Sequence, residues 1–156
     1  MEKFLWLLCL LVTVGNAYFF KRGARELIAE RPELAEGYEK VFKGFLFFGS
    51  LPWVVMGIGI LSGSVHAFSD FFRPREGNPF VLAFHAVLIA IYALIVKWIY
   101  FGNGAEFLVK HRLVGFSGLI ERDFKSPTSV TVAIALPLAA GAVAMYVMWS
   151  IEAQGR

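Results

Sequence analysis

Cysteine is almost absent from this sequence of 156 residues, because Cys9 is the only one. A single cysteine excludes an intramolecular disulfide framework and any zinc site built on several cysteines. Charged residues are also few, at 17% of the chain. No Asp or Glu lies in any of the four apolar segments described below. Coupled transporters usually rely on buried acids, so proton- or sodium-coupled transport is disfavoured.

Hydrophobic residues make up 58% of the chain and include sixteen phenylalanines. They concentrate in four segments, 4–20, 41–63, 80–101 and 130–151, in which Lys43 and Lys97 are the only charged residues. Each segment is close to the ~20 residues that a membrane-spanning helix needs. The sequence therefore predicts one domain, 1–156, that is an all-α integral membrane protein with four transmembrane helices in an up-down bundle.

The connections between these segments differ in kind. Charged residues at 21–40, interrupted at Arg31-Pro32, predict that helices 1 and 2 extend beyond the bilayer as a solvated hairpin. The long connection 102–129 predicts an interfacial helix followed by irregular chain. Gly15 and Ala17 would suit a signal-peptide cleavage site. Lys21 immediately follows the apolar segment 4–20 and resists translocation, so we expect the first helix to be retained.

The distribution of Lys and Arg predicts the orientation. Ten of these residues flank the helix 1–2 and helix 3–4 connections, and four lie on the opposite side. Because cytoplasmic loops carry the excess of positive charge, we expect both connections in the cytoplasm of a cell whose inner membrane holds the protein. Both termini are then extracytoplasmic. Since the basic residues flank membrane segments, the net charge of +3 does not indicate nucleic-acid binding.

Two prolines lie inside predicted membrane helices, Pro52 in helix 2 and Pro137 in helix 4. A proline removes one helix hydrogen bond and kinks the segment, leaving the carbonyls of Phe48 and Ala133 without their usual donors. Together with Ser50, these carbonyls are candidates for lining an uncoupled pathway. The alternative is that neighbouring helices repair both kinks and that the prolines only shape packing or act as hinges.

Small residues predict close helix packing. Gly57, Gly59 and Gly63 follow the kink of helix 2, and the Gly59-x-x-x-Gly63 spacing permits approach by another helix. In helix 3 a stripe with steps of three and four predicts a packing face, and it consists of Ala83, Ala86, Ala90, Ala93 and Lys97. Helix 4 is also rich in Ala. These faces exceed the needs of one bundle, so we expect a homo-oligomer or association with other membrane subunits in the lipid bilayer.

The loop between helices 2 and 3 and the helix that follows it contain the residues best suited to binding chemistry. His66 and Asp70 are four residues apart, and with His85 they form a candidate site for a divalent transition metal. Haem is less favoured because His85 has no second intramembrane histidine as partner. The alternative is that both histidines serve loop and bundle structure. Phe68, Phe71 and Phe72 indicate a loop lying at the bilayer interface.

The sequence shows no nucleophile–base pair and no acid pair, so we expect a non-enzymatic protein without a cofactor. Its predicted function is that of an oligomeric membrane protein, with an uncoupled ion or small-solute pathway as one possibility. The alternative is an accessory or assembly subunit of a larger membrane complex. A membrane enzyme, or a metal or haem protein that uses His66, Asp70 and His85, ranks third.

Overall fold

A computed structural model describes residues 2–111 and 126–151. Every regular element in these two ranges is a helix. The α-helices are α1 (Leu5–Gly23), α2 (Arg25–Glu30), α3 (Ala35–Leu61), α4 (Pro79–Tyr100), α5 (Gly104–Lys110) and α6 (Pro127–Ser150). Short 3-10 turns cover Glu2–Phe4, Pro32–Leu34, Phe68–Phe72 and Pro74–Glu76.

Four helical stretches are long and apolar enough to cross a membrane, which confirms the predicted number. They are Leu5–Glu30, Pro32–Leu61, Pro79–Tyr100 and Pro127–Ser150. The hairpin between the first two turns at Arg31 and Pro32, as the sequence predicts. The interfacial segment predicted in 102–129 corresponds in part to α5, and the irregular chain predicted after it lies outside the described residues.

Helix ends follow the local sequence. The side chain of Asn78 accepts a hydrogen bond from the amide of Phe80 at 3.0 Å, so it caps the start of α4, where Pro79 is the first residue. Ser126 caps α6 in the same way, because its hydroxyl accepts a hydrogen bond from the amide of Ser129 at 3.2 Å. At both helix starts an Asn or Ser cap is followed by proline as the first helical residue.

Helices α1 and α3 pack antiparallel along their length. At one end a Cβ atom on Gly57 would lie 2.6 Å from the Trp6 ring, and at the other the Lys21 ammonium lies 2.9 Å from the Glu39 carboxylate. Between them, the Trp53 indole Nε1–H donates to the hydroxyl of Thr13 at 3.0 Å. This bond explains why Trp53 lies away from the helix ends, where interfacial tryptophans usually lie.

Helix α4 lies antiparallel to both α3 and α6. Phe80, at the start of α4, packs against Gly59 near the end of α3. Towards the other end of α4, the hydroxyl of Tyr100 donates to the backbone carbonyl of Thr131 at 2.8 Å. Tyr92, midway along α4, packs so closely on α6 that a Cβ atom at Gly141 would overlap its ring. The four long helices therefore run alternately up and down, with the first turn of α1 and the last turn of α6 at the same end.

Buried side chains form two separate clusters. The loop-end core lies beneath the loop between α3 and α4, and its buried residues are Met56, Ile60, Val65, Phe71, Val81 and Phe84. The hairpin-end core lies at the opposite end, and its buried residues are Ala24, Leu34, Tyr38, Ile99, Ala105, Leu108, Val130 and Ile134. Between the two cores the long helices present apolar side chains outward. Within the described residues, α1 buries only Ala17, and α6 buries only Val130 and Ile134.

One sequence-based expectation is wrong, and a second is not met within a single copy of the chain. Phe71 was expected at the bilayer interface, but it is fully buried, because the 3-10 turn Phe68–Phe72 folds it onto α4. The alanine stripe of α4 was expected to be the packing face. All of its residues are exposed, because the larger side chains on the opposite side of the helix contact α3 and α6 instead.

The contact between Trp6 and Gly57 gives a stability prediction. Gly57→Ala should lower the thermal stability of the protein in detergent, by about 1–3 kcal/mol, because the new methyl group displaces the Trp6 ring. The unfolding transition followed by circular dichroism measures this. Gly44→Ala in the same helix is the control, since no atom lies within 4 Å of its new methyl group. Equal transition temperatures for the two variants would contradict the packing of α1 on α3.

Candidate functional site

His85 is the one polar residue in the buried interior of the described chain, with 1% of its surface exposed. It lies in the first half of α4, within the loop-end core. Its ring is bordered by Phe84, 5.6 Å away between ring centroids, and by Trp149 of α6 at 5.7 Å. His85 therefore contacts side chains from α4 and α6 and, as shown next, the loop before α4.

The imidazole of His85 holds this loop through one hydrogen bond. Its Nε2 lies 2.9 Å from the backbone carbonyl of Phe71. A carbonyl can only accept, so Nε2 carries the hydrogen and donates it. The ring of Phe71 also packs edge-on against Phe84, at 5.3 Å. The bond and the ring contact together fix the loop on α4.

The second nitrogen of His85 has no partner among the described residues. Nδ1 is buried, and with the hydrogen on Nε2 it presents a lone pair to the interior. A buried acceptor left unpaired costs roughly 1–3 kcal/mol, so the contact of Nε2 with the loop has to offset this cost. The arrangement favours a structural role for His85.

The predicted metal ligands do not form a ligand group. One carboxylate oxygen of Asp70 accepts hydrogen bonds from the backbone amides of His66, at 3.1 Å, and Ala67, at 2.9 Å, which closes the turn before Phe68–Phe72. The side chain of His66 is exposed, whereas His85 is buried beneath Phe71. Within residues 2–111 and 126–151, no three His, Cys, Asp or Glu side chains come close enough to hold a metal ion.

The three glycines that follow Pro52 have separate roles. Gly57 admits the Trp6 ring, and Gly59 admits Phe80, whose Cβ would be 3.0 Å from an added methyl group. Gly63 lies beyond the end of α3 with φ of +74°, a left-handed conformation that favours glycine after a helix. In one copy of the chain, Gly59 and Gly63 therefore serve the fold of that copy.

The pathway candidates lie on helices that are not extensively packed against each other. Phe48 and Ser50 belong to α3 and Ala133 belongs to α6, whereas the extensive contacts of α3 are with α1 and α4. Pro52 is buried in α3, and Pro137 of α6 is exposed. One copy of the chain does not bring Phe48, Ser50 and Ala133 together around a shared opening.

The alanine stripe on α4, defined as Ala83, Ala86, Ala90, Ala93 and Lys97, runs along the outer surface of the helix. Steps of alternately three and four residues are the spacing of a heptad seam, which allows two helices to pack side by side with a slight crossing angle. Alanines along such a seam let the two backbones approach closely. The stripe is therefore a surface shaped for another helix, and no helix of the described chain covers it.

Sequence reasoning found His85 but not its partner. The sequence indicated that a partner exists, since a histidine in an otherwise apolar helix needs a hydrogen bond. The partner is a backbone carbonyl of the loop, and a backbone group has no sequence signature.

No protein-family model matches the chain, and no curated protein or solved structure is detectably similar to it.

The contact between His85 and Phe71 predicts protection of the loop. His85→Ala should destabilise the protein by roughly 2–5 kcal/mol, because it leaves a cavity and an unpaired carbonyl. Local opening should then raise the rate of tryptic cleavage after Arg75, an exposed residue of this loop. The control is His66→Ala, whose side chain is exposed. If both variants are cleaved at the wild-type rate, His85 does not hold the loop.

Proposed function

We propose that the chain is a non-enzymatic, multi-pass integral membrane protein that acts as a homo-oligomer. The proposal places the four apolar stretches across the inner membrane of the cell, with the hairpin end in the cytoplasm and both termini outside. The exposed alanine stripe on α4 is the observation that carries it. We take the oligomer contact to be a pair of α4 helices from two copies.

The outer surface supports membrane insertion. Large apolar side chains are exposed on all four long helices, among them Phe19 at 74%, Leu136 at 77% and Tyr146 at 75%. Water-soluble monomers rarely expose contiguous apolar surface of this kind, whereas a bilayer covers it. The charged residues of the hairpin, and those of the loop between α3 and α4, lie at the two ends of the helices, as insertion requires.

The chemistry of α4 supports association along the stripe. In a bilayer, helix association depends on close packing and not on the hydrophobic effect, since lipid tails are as apolar as the side chains. Large residues of α4, such as Val81 and Phe84, are buried within one copy, and the alanines are left outside. A two-fold pair of α4 helices would bury the same stripe from both copies.

Lateral association is compatible with both functions predicted from the sequence. An accessory subunit of a larger complex would use the same stripe for a helix of another chain. An uncoupled pathway would require Ser50, Phe48 and Ala133 to meet across copies, and we assign no transported species. The homo-oligomer is the proposal, because a two-fold pair of stripes needs no other chain to form the contact.

Substitution in the stripe tests the proposal. Ala90→Leu should raise the dissociation constant of the oligomer in detergent by about tenfold or more, equivalent to about 1.4 kcal/mol, because the larger side chain separates the backbones. Light scattering coupled to size-exclusion chromatography gives the mass of the protein in the complex. Ala139→Leu on α6 is the control, since it adds the same group at another exposed alanine.

The possible results separate the alternatives. Dissociation by Ala90→Leu alone supports the contact on α4, and dissociation by Ala139→Leu alone would place the contact on α6. A wild-type protein that is monomeric in every mild detergent contradicts the homo-oligomer. If the wild type instead co-purifies with an unrelated chain at fixed stoichiometry, it is an accessory subunit.

A further inference from the structure

A basic and aromatic cluster lies where α3, α4 and α5 meet at the hairpin end, and we define it as Lys40, Trp98, Phe107 and His111. Phe107 is at its centre. The Lys40 ammonium lies 5.5 Å from the centroid of the Phe107 ring. The His111 ring lies 4.1 Å from the same ring, and the Trp98 ring lies 6.0 Å from it. An ammonium group and an imidazole therefore border a single aromatic side chain.

The backbone fixes the position of His111. Its Nδ1 lies 2.9 Å from the carbonyl of Phe107, so Nδ1 carries a hydrogen and donates it. The ring lies directly against α3 at Gly37, where any side chain would overlap the imidazole. Gly37 therefore lets α5 bring His111 onto α3, one helical turn from Lys40. Nε2, the other ring nitrogen, takes no part in the bond to Phe107.

Lys40 differs from the lysines near it on α1 and α3 in its electrostatic partners. Glu39 lies 2.9 Å from Lys21 and 3.5 Å from Lys43, so one carboxylate serves both of these lysines. Within the part of the chain that the structure describes, no carboxylate lies within 4.0 Å of Lys40. Lys40 thus has no ion-pair partner among the described residues, so its ammonium is available to an anion.

The depth of the cluster indicates what that anion is. Lys40 immediately precedes the apolar segment 41–63, and Trp98 lies near the end of the segment 80–101. In the membrane orientation proposed above, both residues lie at the level of the cytoplasmic headgroups. Tryptophan is enriched at this level, and lysine is attracted there to anionic lipid phosphates.

We propose that this cluster binds the phosphate-bearing headgroup of an anionic phospholipid in the cytoplasmic leaflet. The Lys40 ammonium contacts the phosphate, while the rings of Phe107 and Trp98 pack against the glycerol and the first acyl carbons. His111 holds the ring of Phe107 in place. The inference rests on the proposed membrane insertion, because only insertion brings headgroups to this depth.

Native mass spectrometry of the detergent-solubilised protein tests the site. The protein is mixed with phosphatidylglycerol or with phosphatidylcholine, and the fraction that retains lipid is measured at increasing lipid concentration. The wild type should retain phosphatidylglycerol preferentially. Lys40→Gln should weaken this binding by about fivefold, the effect expected from loss of one charge near an anionic surface. Lys40→Arg keeps the charge and should restore binding.

A control variant tests whether binding depends on this site. Lys43→Gln is the matched control, because it removes a lysine from the same helix that already has Glu39 as its partner. It should bind phosphatidylglycerol like the wild type. A loss of binding with Lys43→Gln equal to that with Lys40→Gln would show general charge attraction and overturn the site.

Two further measurements, a competition with phosphate and an alkaline extraction, test the lipid site separately from membrane insertion. Inorganic phosphate, added as a competitor, should not displace the lipid, and displacement would show a site for a free anion. Resistance of the protein to alkaline extraction from membranes reports insertion independently. A protein that resists extraction but retains the two lipids equally overturns the lipid site alone. A protein that is released by alkali contradicts membrane insertion itself.

Discussion

The four long helices carry more apolar surface than one copy of the chain can bury, and the arrangement of the structure follows from this constraint. Helix α6 illustrates it, since it has 24 residues and buries only Val130 and Ile134. The buried residues collect instead at the two ends of the molecule, beneath the loop and beside the hairpin. Between these cores the helices expose apolar side chains, the kind of surface that a bilayer covers.

Several polar groups within the apolar stretches meet partners on neighbouring elements. Trp53 of α3 donates to Thr13 of α1, and Thr13 in turn donates to the carbonyl of Cys9, at 2.9 Å. His85 of α4 donates to the carbonyl of the loop at Phe71, and Tyr100 donates to α6. Such bonds fix the register of helices whose apolar contacts alone would allow sliding, because an unpaired polar group is costly without water.

The sequence was sufficient for the number of helices and their approximate bounds, because these depend on local composition and spacing. The sequence did not show which side of each helix faces the interior of the protein. The ring of Phe71 was placed wrongly, since an aromatic residue of a loop suits either the bilayer interface or the core. The stripe of α4 was found, but the sequence did not show whether its partner helix belongs to the same copy. His85 was found but its partner was not, and Gly37 was missed because its role depends on His111, far away in sequence.

The most direct measurement of the central claim is the side from which introduced cysteines react with a membrane-impermeant thiol reagent. In a background with Cys9→Ser, the variants Ala29→Cys in the hairpin, Ser69→Cys in the loop and Ser126→Cys before α6 are labelled in intact and in lysed cells. We predict that Ser69→Cys reacts in intact cells, and that Ala29→Cys and Ser126→Cys react only after lysis. Reaction of all three from the same side would contradict a chain whose helices cross the membrane.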